Sequence, residues 1–138
     1  MLTEKPIMVI DDDMIDALTV KRAFKDNKIT NTVITREDGE AALEYLRDAG
    51  NEKPAFILLD INMPRMNGLE FLRELRADVA LALIPVIVLT TSRSERDIAE
   101  AYKLGIAGYM IKSVNYADFV NVIAAIRQYW EFSEIPDV

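Results

Sequence analysis

The sequence contains neither cysteine nor histidine. Without cysteine it can build no disulfide and no thiolate metal site, which fits a reducing compartment. Without histidine, imidazole acid–base catalysis and the common zinc sites are excluded. Long apolar runs are missing too: none approaches the roughly 20 residues that span a bilayer. Met1-Leu-Thr-Glu-Lys-Pro6 has no basic stretch leading into an apolar one, so no signal peptide is expected. Nor is there a basic stripe of the kind that binds nucleic acid. The formal net charge is −7 and the pI about 4.6, an acidity that reads as solubility. The expectation is a cytoplasmic protein with no nucleic-acid and no membrane partner.

The chain has 138 residues and is 51% hydrophobic, enough for one domain around one core. No repeat or composition break divides it. Short apolar runs, Ile7–Ile10, Thr32–Thr35, Ala55–Leu59, Pro85–Leu89 and Gly108–Ile111, alternate with longer amphipathic segments. Ala55–Leu59 and Val86–Leu89 are apolar throughout, which suits strands covered on both faces of a parallel sheet. Asp13 can cap a first helix with Asp16 at its third position, and Leu18 follows Met14 by one turn. Asp38-Gly-Glu opens a second helix that Gly50 closes. Asn67-Gly68 opens a third, with Leu69, Leu72 and Leu75 on one stripe. Ser94 and Asp97 begin a fourth in the manner of a capping box, ending near Gly105. Phe119, Ile123, Ile126 and Trp130 mark the buried stripe of a fifth. This fivefold βα alternation predicts an α/β, doubly wound, five-stranded parallel sheet with right-handed crossovers and helices on both faces.

Ligands of such sheets bind at the carboxyl ends of the strands, near the point where strand order reverses. The polar residues of this chain gather there. The first strand ends in Asp11-Asp12-Asp13, the third in Asp60, the fourth in Thr90-Thr91-Ser92 and the fifth in Lys112-Ser113. Consecutive carboxylates repel one another unless something positive lies between them. Asp13 has a sufficient role as a helix cap. Taken singly, Asp60 can be a strand-terminal acid before a turn, Lys112 a surface lysine and Thr90 a strand former.

Taken together they resemble the receiver domain of two-component response regulators. The resemblance rests on Asp11-Asp12, on Leu59-Asp60-Ile-Asn-Met-Pro64 followed by Asn67-Gly68, on Thr90 and on Lys112, in that order, and it covers essentially the whole chain. It implies the flavodoxin-like strand order 2-1-3-4-5, and a single receiver domain over residues 1–138 with a C-terminal extension from about residue 131. It implies Mg²⁺ as the positive partner, held directly by Asp12, Asp60 and the Asn62 carbonyl, with Asp11 acting through a bound water. That suits a cation that keeps waters and takes one or two carboxylates. Asp60 would be the phosphorylated nucleophile, since a carboxylate can attack phosphorus and form an acyl phosphate. Lys112, the Thr90 hydroxyl and the Thr91 N–H would hold phosphoryl oxygens. Thr90 and Tyr109 would form the switch, while Asn62 and Ser92 would tune attack by water.

The implied partner is a sensor histidine kinase, with output through another protein or a phosphorelay. No room for a DNA-binding output domain is expected after the fifth helix. The chain would be no enzyme beyond its own phosphorylation and dephosphorylation. Lys112-Ser113 departs from the usual Lys-Pro, leaving open whether that peptide is cis or trans. Lys112-Ser-Val-Asn115, with Asp16, looks most like small regulators partnered with phytochrome-type kinases. Tyr129, Phe132 and Ile135 lie beyond or beside the helical stripe, and two readings stay open: a homodimer through the fifth helix and the C-terminal segment, or a tail that folds back over its own domain's sheet edge. Two other readings rank lower. A haloacid-dehalogenase-like phosphatase would use Asp11 and Asp13, and would need a further acidic pair after a later strand. A flavodoxin-like cofactor binder would need a phosphate loop where three acids stand.

Overall fold

The computed structural model describes residues 4–136. Five parallel strands, β1 (Ile7–Ile10), β2 (Val33–Arg36), β3 (Phe56–Leu59), β4 (Val86–Thr90) and β5 (Gly108–Ile111), form one sheet in the order β2-β1-β3-β4-β5. The helices alternate with them: α1 (Met14–Asp26), α2 (Gly39–Arg47), α3 (Gly68–Ala77), α4 (Glu95–Lys103) and α5 (Tyr116–Phe132). This is the fold and strand order expected from the sequence.

The three central strands are buried along their whole length, as their unbroken apolar composition requires. Side chains alternate between two cores. Met8, Ile10, Ile57, Leu59, Val86 and Val88 pack with α2, α3 and α4 on one face. Ile7, Val9, Phe56, Leu58, Ile87 and Leu89 pack with α1 and α5 on the other. There the Trp130 ring stacks on Phe56 with centroids 4.6 Å apart.

Several local expectations are corrected. β2 runs one residue later than Thr32–Thr35, because Thr32 only supplies a carbonyl to Ile7 N–H while Val33 is the residue in register with Ile7. β3 starts at Phe56, not Ala55. β4 starts at Val86, since Pro85 has no N–H to give the ladder, and it extends to Thr90, whose carbonyl accepts from Lys112 N–H at 2.8 Å. Gly50 does not close α2: Asp48 leaves the helical region first, and its carboxylate accepts from Gly50 N–H at 2.9 Å. Met14 and Leu18 do not mark the buried face of α1. They are 76% and 57% exposed, and Ala17, Val20, Ala23 and Phe24 face the core instead. In α3, Leu72 and Leu75 are buried with Phe71, whereas Leu69 is only half-buried. Ile135, read as surplus to the core, packs against the α1/α5 side.

Caps fall where the sequence suggests. Asp13 accepts from Ile15 and Asp16 N–H, and Asn67 and Glu70 make a full capping box. Ser94 accepts from Asp97 N–H, but the Asp97 carboxylate turns to the Ser92 hydroxyl and leaves that box half-made. α4 ends at Lys103 with Leu104 as its cap, and Gly105 just beyond has a φ of +74° that favours glycine. Arg76 ties the opposite edge of the sheet together, donating to the carbonyls of Ala82, Ile84, Leu104 and Gly105 at 2.7–3.1 Å.

Candidate functional site

The ladder of the sheet continues one residue past the strands, and this fixes the site. Asp11 N–H donates to Arg36 O, Asp60 N–H to Ile10 O and Lys112 N–H to Thr90 O, all within 3.0 Å. Parallel strands end at the same edge, so Asp11, Asp60, Thr90 and Lys112 converge there although 101 residues separate the first from the last. Gly68 makes the approach possible. A Cβ there would lie 2.7 Å from Ile61 Cα and nearer still to the Asp60 carbonyl oxygen, so a larger residue would push the backbone that carries Asp60.

Asp60 is 7% exposed. One carboxylate oxygen accepts the Thr90 hydroxyl at 2.7 Å and the Asn62 N–H at 3.1 Å. The other accepts Lys112 Nζ at 3.1 Å. Lys112 Nζ also donates to Asp11 at 2.7 Å and to Asp16 at 2.8 Å. Asp12 is exposed, but a carboxylate oxygen from each of Asp11, Asp12 and Asp60 lies within 4.8 Å of the others. Among the described residues this is the one group of three such side chains able to share a metal ion. Asp13 is absent from it, being engaged as the α1 cap. Asn62 is exposed and lines a groove of about 410 Å³ with Asp12, Pro64, Asn67 and Asp97.

The electrostatics show one cation shared among too many acids. Burial pushes the Asp11 carboxyl up to about 6, against the pull of the Lys112 ammonium and the Asp13 N–H, and Asp60 raises it further. Burial also works against the Lys112 ammonium, but its bonds to Asp11 and Asp16 and the charge of Asp60 outweigh that and raise its pKa. Both directions hold across the same ion pair: Lys112 gains from three carboxylates, while Asp11 has a third of one ammonium. Four acids and one base leave an excess of negative charge. Hard oxygen donors in that setting fit a divalent cation.

The threonine end is wired onward. Ser92 N–H approaches Thr90 Oγ1 at 3.4 Å, and the Tyr109 hydroxyl donates to the Ser92 carbonyl at 3.0 Å. Tyr109 is half-buried, and burial raises its hydroxyl pKa. Thr91 is exposed at the end of β4. The Lys112–Ser113 peptide is trans. The structure therefore gathers Asp11, Asp12, Asp60, Thr90 and Lys112, with Asn62 and Ser92 one bond further out and Tyr109 bonded to Ser92 beyond them.

Two participants escaped the sequence reading. Asp16 already had a role at the third position of α1, yet its carboxylate also accepts from Lys112 Nζ at 2.8 Å across the edge of the sheet. Arg65 adopts φ +59° and donates to the buried Asp38 carboxylate at 2.9 Å, tying the loop after β3 to the start of α2. Nothing in the sequence pairs those two.

The chain is similar to known proteins over most of its length. The response regulator receiver domain family matches residues 7–124. The response regulator Rcp1 of Synechocystis sp. is 35% identical over 130 residues, covering 91% of this chain and 88% of that protein. The crystal structure of the phosphorylated cyanobacterial phytochrome response regulator RcpA superposes with a TM-score of 0.88 at 32% identity, covering 98% of this chain and 100% of that one. The Mn²⁺-bound form of Rcp1 gives a TM-score of 0.88 at 33% identity, covering 96% and 99%.

Proposed function

Since the chain belongs to the response regulator receiver domain family, we propose that it is a phosphorylation-activated switch whose acceptor is Asp60. The observation that carries this is the triple convergence on that carboxylate: the Thr90 hydroxyl on one oxygen, the Lys112 ammonium on the other, and Asp11 and Asp12 beside it. An oxygen lone pair of Asp60 attacks phosphorus, and the bond from phosphorus to the donor breaks. The leaving group, a kinase imidazole or a small carboxylate, departs with the electron pair. Asp60 has then become an acyl phosphate. Lys112, the Thr90 hydroxyl and the Thr91 N–H hold the phosphoryl oxygens. Water later attacks phosphorus, the Asp60–phosphorus bond breaks, and the carboxylate and inorganic phosphate are restored. Asn62 and Ser92 stand beside that attack and set its rate. The chain is no enzyme toward other substrates.

Asp12, Asp60 and the Asn62 carbonyl would hold Mg²⁺, with Asp11 reaching it through water. When bound, the cation supplies charge neutralisation for the phosphoryl oxygens. As Thr90 moves toward the phosphoryl group, Ser92 and the Tyr109 hydroxyl bonded to it follow, which passes a local charge change to the face of α4, β5 and α5. The resemblance to phytochrome response regulators supports a phytochrome-type sensor histidine kinase as donor and a cytoplasmic setting, with output to a protein partner or a phosphorelay. Tyr129 and Phe132 are 51% and 81% exposed on α5, which supports a homodimer through that helix, strengthened by phosphorylation. Ile135, turned inward, is not part of that surface.

The test is incubation with Mg²⁺ and acetyl phosphate followed by intact mass. A labile gain of one phosphoryl group that Asp60→Asn abolishes is expected. A gain that persists in Asp60→Asn would overturn the assignment.

A further inference from the structure

Lys112 carries three N–H donors, and all three reach carboxylates: Asp11 at 2.7 Å, Asp16 at 2.8 Å and Asp60 at 3.1 Å. None is left over for a phosphoryl oxygen. An arriving phosphoryl group can bond to the ammonium only if one of these contacts is given up, and the longest is the one to Asp60. Asp11 and Asp60 are at most 9% exposed in their side chains, whereas Asp16 is 40% exposed and comes from the first turn of α1. It lies outside the cluster able to hold a metal. Its backbone N–H is tied to the Asp13 cap at 3.2 Å, so the helical turn that carries it is held independently of Lys112.

We propose that Asp16 is a positioning residue for phosphoryl transfer: it holds Lys112 toward α1 and restrains the shift of the ammonium onto a phosphoryl group at Asp60. The inference rests on the assignment of Asp60 as acceptor. In the resting protein Asp16 completes the bonding of a buried ammonium. During transfer it competes with the incoming phosphoryl oxygens for that charge, and its own negative charge opposes theirs. A neutral residue there frees one donor and removes one repulsion. The site therefore accepts phosphate more slowly than its other residues would allow.

The full chain is incubated with Mg²⁺ and acetyl phosphate, and the rate of phosphoryl gain is followed by intact mass for wild type, Asp16→Asn, Asp16→Ala and Asp16→Glu. The two neutral variants should gain phosphate about threefold to fivefold faster, the span supported by an ion pair with one partly exposed member. Asp16→Glu, which keeps the charge, should fall nearer wild type. Mg²⁺ affinity by calorimetry should stay within about twofold throughout, because Asp16 is not among the metal-holding acids; a general loosening of the site would weaken it. In ¹⁵N-lysine spectra, the Lys112 ammonium protons should exchange slowly in wild type and faster in Asp16→Ala. An unchanged or slower phosphorylation rate in the neutral variants, with wild type phosphorylated normally, overturns the proposal and leaves Asp60 as acceptor. Wild type that gains no phosphoryl group removes the Asp60 assignment and this inference with it. Should the neutral variants fail to fold, a wild-type Lys112 ammonium that exchanges as fast as a surface lysine overturns it alone.

Discussion

Asp12 and Asp13 are adjacent residues of one type, and a single turn of backbone gives them separate work. Asp12 reaches the acid cluster, while Asp13 accepts two N–H bonds at the start of α1. Asp12→Ala should weaken Mg²⁺ binding by tenfold or more, whereas Asp13→Ala should leave it nearly unchanged and cost about 1 kcal/mol of stability as a lost cap. Calorimetry and thermal melts on both variants check this, and equal losses of affinity would contradict it. Asp11 adds a pH dependence. Its carboxyl is held near 6, so between its unfolded value and about 6 the folded protein binds the extra proton. Stability from this group is therefore present at low pH and declines as pH rises through that window. A cation needs the ionised form, so Mg²⁺ affinity should climb as pH rises to about 6 and level off above it, as calorimetry from pH 5 to 8 would show. Substituting Asn62 or Ser92 should change the decay of the phosphorylated protein more than its formation, measured by intact mass over time.

At the scale of elements, the loop after β3 and the turn before β5 carry constraints larger than their lengths suggest. Gly68→Ala places a Cβ against the Asp60–Ile61 backbone. It should cost about 2 kcal/mol or more and slow phosphorylation out of proportion to that loss, compared by melting temperature and by rate. Arg76→Lys retains charge but cannot bridge four carbonyls in two loops. About 2–3 kcal/mol of destabilisation is expected in denaturant titrations, with Mg²⁺ affinity untouched at the far edge of the sheet. These elements also show what a sequence exposes. Asp11, Asp60, Thr90 and Lys112 could be brought together on paper because parallel strands share an edge and each residue ends an apolar run. The phase of α1 could not. Its first turn offers Met14 and Leu18 as plausibly as Ala17 and Val20, and only packing on the sheet chooses. Asp48 stopped α2 before Gly50 could, because a short side chain that bonds its own backbone competes with the helix. The Asp16–Lys112 and Arg65–Asp38 pairs join residues whose local roles were already filled, so no pattern pointed to them.

Over the whole molecule, Tyr109 of β5 bonds to Ser92 at the site and packs on the α2, α3 and α4 side of the sheet, while Tyr129 and Phe132 are exposed on α5, which covers the other face. Phosphorylation that redirects Thr90 and Ser92 should tighten self-association through Tyr129 and Phe132. Sedimentation with and without phosphate, for wild type and for Phe132→Ser, measures this. A monomer at tens of micromolar in both states, where interfaces weaker than about −6 kcal/mol fail to assemble, would remove the dimer.

The stacking of Trp130 on Phe56 has an optical consequence. Trp130 is the sole tryptophan of the chain, and Phe56 begins β3 while Asp60 follows its end. Four residues at about 3.3 Å each put roughly 13 Å of strand between indole and acceptor. Emission from this protein should thus respond to unfolding, when the stack opens, and stay nearly constant as cation or phosphate arrives at the other edge. A spectroscopist watching the native chain would have a thermometer for its integrity and would need a tryptophan placed near Asn62 to see its signal.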